Sequence, residues 1–135
     1  MTTKRRDDTT PTVSRVIEAA RRRKSQPAPP HVVFEALTQP DRDPHRPWMH
    51  LLPAEVRPTV VRAQPPHLLV WSSLWTAHPE AQVQIELTQR AHDSGTDLTW
   101  TLLLPDPAQE VEEVRAMRKR LNRLINGDLR ETFDQ

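Results

Sequence analysis

Apolar and polar residues alternate cleanly between Ala81 and Arg90. Val83, Ile85 and Leu87 fall on one side, and Gln82, Gln84, Glu86 and Thr88 on the other. A period of two puts successive side chains on opposite faces of a strand, so the pattern predicts a β-strand buried on one face and wet on the other. The period recurs in Asp97–Leu104, where Leu98, Trp100, Leu102 and Leu104 share one side against Thr99 and Thr101. In His67–Trp75 one face reads Leu69, Trp71, Ser73, Trp75 and the other Leu68, Val70, Ser72, Leu74. The segment 91–96 between the last two strands predicts a hairpin loop, with Gly95 available for a positive φ. Val56–Ala63 carries Val60 and Val61 but also Pro58, which cannot donate to a ladder, so it reads as an edge or bulged strand. Gln64, Pro65 and Pro66 then turn the chain.

After Pro105 the period changes. Val111, Val114, Met117, Leu121, Leu124 and Ile125 form one stripe at helical spacing. Asp106 as N-cap, Pro107 at the first helical position and Gln109 two residues later predict the start of that helix. Glu110, Glu112 and Glu113 sit near the positive end of the helix dipole, and Arg115, Arg118, Lys119, Arg120 and Arg123 follow toward the negative end. Gly127 weakens the last turns by about 1 kcal/mol relative to alanine, and marks either a close approach to the sheet or the onset of fraying. A sheet with one buried face, closed by a single late helix, makes a cupped half-shell of the α+β class. Such a shell has room for a ligand among its aromatic side chains.

The first half of the chain is less regular. Residues 1–11 are almost devoid of apolar side chains and read as a disordered tail. From Thr12 two patterns compete: Val13, Arg15, Ile17 and Ala19 fit a strand, and Val13, Val16, Ile17 and Ala20 fit a helix equally well. The run Arg21–Lys24 breaks either pattern with solvent-seeking charge and reads as a solvated loop or face. Gln26–Pro30 is an extended connector, because each residue before proline is pushed out of the helical region. Pro29 and Pro30 suit the first turn of a short helix carrying Val32, Val33, Phe34 and Leu37, stopped within Thr38–Pro44. Trp48, Met49, Leu51 and Leu52 form an apolar cluster in a short turn or helix.

Composition narrows the function classes. A chain of 135 residues is one domain's worth. No run approaches the roughly 18 apolar residues of a membrane span, and the polar start has no apolar signal core, so the expected location is cytoplasmic. The chain has no cysteine, which excludes disulfides and thiolate metal sites. The net charge of +1 hides an asymmetry, since residues 1–30 hold eight Lys/Arg and three acids and the remainder 11 basic and 15 acidic residues. The body is therefore not a basic nucleic-acid surface.

The order of short motifs carries a resemblance. The run Ala28-Pro-Pro-His-Val-Val-Phe-Glu-Ala-Leu-Thr38 comes first, followed by Pro65-Pro-His-Leu-Leu-Val-Trp71 and Ser94-Gly-Thr-Asp-Leu-Thr99. A C-terminal helix ending Asp128-Leu-Arg130 closes the series. Together they resemble the START-like (SRPBCC) superfamily of polyketide cyclases, lipid carriers and activators of the heat-shock-protein ATPase, over residues 12–133. The resemblance implies a helix-grip fold: a curved antiparallel sheet of five to seven strands wrapped around a long C-terminal helix, with two short helices after the first strand. It also implies a deep apolar pocket between sheet and helix, and it turns the 12–19 segment toward a strand. The stretch Ala20–Pro27 is longer than the family's usual passage, and Pro40–Glu55 is short enough to lose one strand.

The candidate ligand-binding residues follow from the faces and the resemblance. Trp71, Trp75 and Trp100 lie on strand faces assigned to the interior, with Trp48 as a roof. Ser73, between two rings, leaves either space or a buried hydrogen bond, and space is preferred. Ile85, Leu87, Met117, Leu121 and Leu124 complete the wall, and His50 beside Trp48 adds a polar group. Each tryptophan has the competing reading of plain core, because the chain has two Phe and no Tyr to fill that role. The six histidines show no metal-ligand spacing, and no cofactor or metal is expected. No catalytic constellation is visible, and the absence of Tyr excludes a phenolic acid. The sequence therefore predicts binding of a small hydrophobic molecule (lipid-, polyketide- or aromatic-like) by a monomer or homodimer. The alternatives are a cyclase- or dehydratase-like enzyme and a protein-interaction module of the same fold.

Overall fold

A computed structural model describes residues 16–42, 47–105 and 110–133. Five strands form one antiparallel sheet: β1 (Val16–Gln26), β2 (Val60–Gln64), β3 (Leu68–Trp71), β4 (Gln82–Gln89) and β5 (Thr96–Pro105). Their order across the sheet is β1-β5-β4-β3-β2. Helix α1 (Pro30–Thr38) follows β1, and α2 (Val111–Leu121) follows β5. The last helix continues through a π-helical stretch, Asn122–Leu129, into a final α-turn, α3 (Arg130–Phe133). This is the α+β helix-grip arrangement. The proposed tail and the capping residues Asp106, Pro107 and Gln109 lie outside the described residues.

The alternation in β4 and β5 is realised residue by residue. Val83, Ile85 and Leu87 pair with Leu102, Trp100 and Leu98, and all six are fully buried on the concave face. Helix residues Met117, Leu121, Leu124, Ile125 and Leu129 close that face from the other side. The helix begins at Val111, after an extended Glu110. Val111 is 71% exposed, so the buried stripe starts only one turn later, with half-buried Val114. Helix α1 matches its expected span and buries Val33 and Leu37.

Three expectations need correction. The Arg21–Lys24 run does not end β1; the strand continues through it to Gln26, paired with Thr101 through Thr96 of β5. Backbone pairing is available along this whole length, and β1 is a sheet edge, where charged side chains stay in water at little cost. The third strand stops at Trp71 instead of running to Trp75, so Leu74 is buried despite its assignment to the outer face. The second short helix is absent among the described residues: Trp48–Leu52 is irregular chain. Strand β2 is an exposed edge with a register shift between Val60 and Arg62, and begins after Pro58.

Gly95 has no positive φ. A β-carbon there would sit 2.7 Å from the carbonyl oxygen of Gln26, so the absence of a side chain lets the β4–β5 loop pass the end of β1. Gly127 is different. A β-carbon would meet only Arg123 Cδ, at 3.7 Å, and the helix runs on to Phe133 without fraying.

Candidate functional site

The concave face of the sheet brings most of the expected ligand residues together. Trp71, Ile85, Leu87, Trp100, Met117, Leu121 and Leu124 all belong to one core cluster with Leu69, Leu98 and Leu102. That cluster is closed, with Ile85, Leu87, Trp100, Leu121 and Leu124 each 0% exposed. None of the seven lines the surface clefts beside Trp48 or along β1. Ring volume accounts for this: two indoles and a row of leucines fill the cup that a shallow five-stranded sheet can make.

The indole N–H groups divide into two kinds. Trp48 donates to the Ala36 carbonyl at 3.0 Å, and Trp71 donates to the Leu37 carbonyl at 3.1 Å. These are carbonyls of the last turn of α1, which no further turn of helix can satisfy. The two rings stack with centroids 6.4 Å apart and planes 22° from parallel. Trp48 and Trp71 therefore cap a helix end and pack on each other, with no donor left over. The N–H of Trp100 is the opposite case: it is buried and has no hydrogen-bond partner among the described residues. A buried donor left unmade costs about 1–3 kcal/mol.

Ser73 and Trp75 leave the sheet. The Ser73 hydroxyl donates to the His78 carbonyl at 2.6 Å and accepts from the Trp75 amide at 2.9 Å, so it organises the loop after β3. The buried hydrogen bond, not space, is what this residue supplies. Trp75 is half-buried and forms an isolated bridge with Glu55. His50 is exposed and lines a cleft of about 240 Å³ with Pro47, Trp48, Asp128, Glu131 and Thr132. A neighbouring cleft of about 210 Å³ shares Trp48 and Thr132 and adds Val32, Ala36 and Phe133.

One ion pair escaped sequence reading. Arg120 grips Glu55 at two points, Nε to Oε2 at 2.7 Å and a terminal nitrogen to Oε1 at 2.9 Å. The same guanidinium donates to the His50 carbonyl at 2.7 Å, and the Leu52 amide donates to Glu55. The irregular 48–55 segment is thereby pinned across the C-terminal helix. No local spacing signals a pair drawn from an irregular segment and a helix this far apart in the chain.

With this geometry, comparison with solved structures is informative. DynU16, from the dynemicin biosynthetic locus, is 26% identical with a TM-score of 0.63, over 85% of this chain and 46% of its own length. This chain thus spans less than half of DynU16. CalU16 from Micromonospora echinospora is 23% identical with a TM-score of 0.55, over 80% of this chain and 74% of that one. An AHSA1-like protein from Rhizobium etli is 24% identical with a TM-score of 0.56, over 87% and 81%. The chain has the START-like fold. No protein-family model and no curated protein matches its sequence. No helix among the described residues of this START-like domain is long and apolar enough to cross a membrane.

Proposed function

We propose that this START-like domain binds a small, largely apolar molecule between the concave sheet face and the C-terminal helix. The observation that carries the reading is the unpartnered N–H of Trp100, a buried donor on a residue of the apolar core cluster. A ligand with one acceptor oxygen would satisfy it, while burial of about 300 Å² of apolar ligand surface contributes roughly 7.5 kcal/mol at 25 cal/mol per Å². Part of that is spent in opening the packed interior, which favours a tight-fitting ligand over a loose one. The Trp48 end supports entry, because two clefts flank the helix there and the covering segment has no regular structure. Trp48, Trp71, Ile85, Leu87, Trp100, Met117, Leu121 and Leu124 would then form the wall. His50 stands at the rim, and Ser73 and Trp75 hold the loop behind it.

Binding is favoured over catalysis because the buried polar residues among those described are Gln26, Ser73, Thr96 and Thr101, none of them ionisable. The cyclase- or dehydratase-like alternative draws on His50, Asp128 and Glu131, which line one cleft beside Trp48. It requires turnover that His50→Ala abolishes while binding persists.

The test combines native mass spectrometry of freshly purified protein with NMR of the Trp100 indole N–H. Lauric acid and a hydroxynaphthoate serve as probes carrying acceptor oxygens. Expected are a bound mass lost on denaturation, or a probe-dependent shift of the Trp100 resonance together with Leu121 and Leu124 methyls. If the purified protein carries no small molecule and neither probe moves those signals, the proposal fails.

A further inference from the structure

Strand β1 carries an inconsistency that the core does not explain. Residues directly opposite in an antiparallel pair point to the same face. Arg22 pairs with Trp100 and Lys24 with Leu98, so both cations occupy positions of the concave, apolar face. Ala20, opposite Leu102, shows what that face ordinarily holds. The facing helix keeps its buried stripe at this level, through Leu121, Leu124, Ile125 and Leu129, and turns a polar flank toward the two cations. There it presents Asn122, Arg123, Asn126 and Gly127, which with Arg22 and Lys24 line a cleft of about 310 Å³.

A second cleft, of about 490 Å³, continues from the first through shared Lys24 and Asn126 and adds Arg23, Ser25, Arg90, Asp97 and Arg130. Charge in this groove is one-sided. Asp97 is engaged by Arg23 at 3.1 Å and Arg90 at 3.4 Å, and Asp128 by Arg123 at 3.5 Å. Arg22 and Lys24 have no carboxylate partner among the described residues. The floor is polar and incompletely satisfied. Asn126 donates to Asn122 Oδ1 at 3.1 Å, while its own Oδ1 is buried without a partner among the described residues. Exchanging oxygen and nitrogen in both asparagines keeps their mutual bond and turns the orphan at Asn126 into a donor. Gly127 leaves room above that floor, since a β-carbon there meets only Arg123 Cδ.

We propose that this groove is a second binding site, for the phosphate group of a small molecule bearing two or more negative charges. Arg22 and Lys24 would contact the phosphate directly, with Arg123 and the Asn122–Asn126 pair beneath it. Several converging cations and an amide floor match a multivalent oxyanion better than a single carboxylate. A local rule is broken on the strand, where Arg22 and Lys24 stand opposite Trp100 and Leu98, and function is expected to override packing at such positions. The site is separate from the closed interior, and its failure leaves the apolar-ligand reading intact.

The test uses the full chain at low ionic strength, with inorganic pyrophosphate as probe and calorimetry and amide NMR as readouts. Saturable binding is expected, with shifts at Ser25, Asn126 and Gly127. The variant Arg22→Gln/Lys24→Gln should weaken it by roughly tenfold or more, as loss of charge-assisted contacts implies. Arg118→Gln/Lys119→Gln removes the same charge outside the groove and should leave binding within about twofold, showing more than a net-charge effect. Vesicles of phosphatidylcholine with and without phosphatidic acid form the second arm. Binding of pyrophosphate alone assigns a soluble phosphate ester. Phosphatidic-acid-dependent vesicle binding with the same sensitivity to the groove variant assigns a lipid headgroup. Absence of saturable binding in both arms, or equal losses in the two double variants, overturns the proposal.

Discussion

Glu55 and Arg120, separated by 65 positions in the chain, form a two-point ion pair in which the side chains are only 4% and 12% exposed. The pair holds the irregular segment after Trp48 against the helix, where backbone hydrogen bonding is sparse. Removing one partner leaves the other charge buried and unpaired. Glu55→Ala or Arg120→Ala should therefore destabilise the fold by about 3–5 kcal/mol in urea denaturation. Replacing both with Leu should restore much of that loss. A single variant costing under about 1 kcal/mol would show that the segment is held by its apolar contacts alone.

The indole caps make a second expectation. Trp71→Phe keeps an aromatic ring on Trp48 but leaves the Leu37 carbonyl without its donor. Together with the lost ring atoms, this should cost about 2–4 kcal/mol. Trp48→Phe, nearer the surface, should cost less. If neither variant lowers the melting temperature, the N–H groups are not what holds the end of α1.

The two glycines should respond with opposite signs. Gly95→Ala places a carbon against the Gln26 carbonyl oxygen and should destabilise by about 1–3 kcal/mol. Gly127→Ala makes only an ordinary contact with Arg123 Cδ inside a helix and should stabilise by about 0.5–1 kcal/mol. Thermal melts of the two variants, compared with the parent, check both signs in one experiment.

Trp100 allows an isosteric probe. Replacing its indole with benzothiophene keeps the ring shape and removes the orphan donor. The ligand-free protein should gain about 1 kcal/mol, because a desolvated N–H is no longer left unpaired. The same replacement should weaken any ligand that accepts from that N–H. Loss of stability on substitution would mean that the donor finds a partner in solution.

The sheet and the terminal helix were legible because their periods are long and unambiguous. β4 and β5 show strict alternation, and Met117, Leu121, Leu124 and Ile125 keep helical spacing. The start of β1 was legible only through the family resemblance, since its period fits strand and helix alike; its continuation was not, because four consecutive charges erase any period and only the backbone of β5 carries the strand through them. The end of β3 at Trp71 was hidden because Ser73 fits an alternating pattern while its hydroxyl captures loop backbone instead. Whether the cup is open or filled was beyond reach for another reason. Apolar patterning tells which side chains face inward, but curvature and ring volume decide how much space they leave. The Glu55–Arg120 pair needs three-dimensional proximity that no local spacing encodes.

The π-helical stretch Asn122–Leu129 sits where the terminal helix meets the end of β1, and Gln26 donates to the Ile125 carbonyl across that junction at 3.2 Å. Wider winding stores more chain in a given axial length than an α-helix does. The segment is thus a reservoir of slack in an otherwise stiff rod.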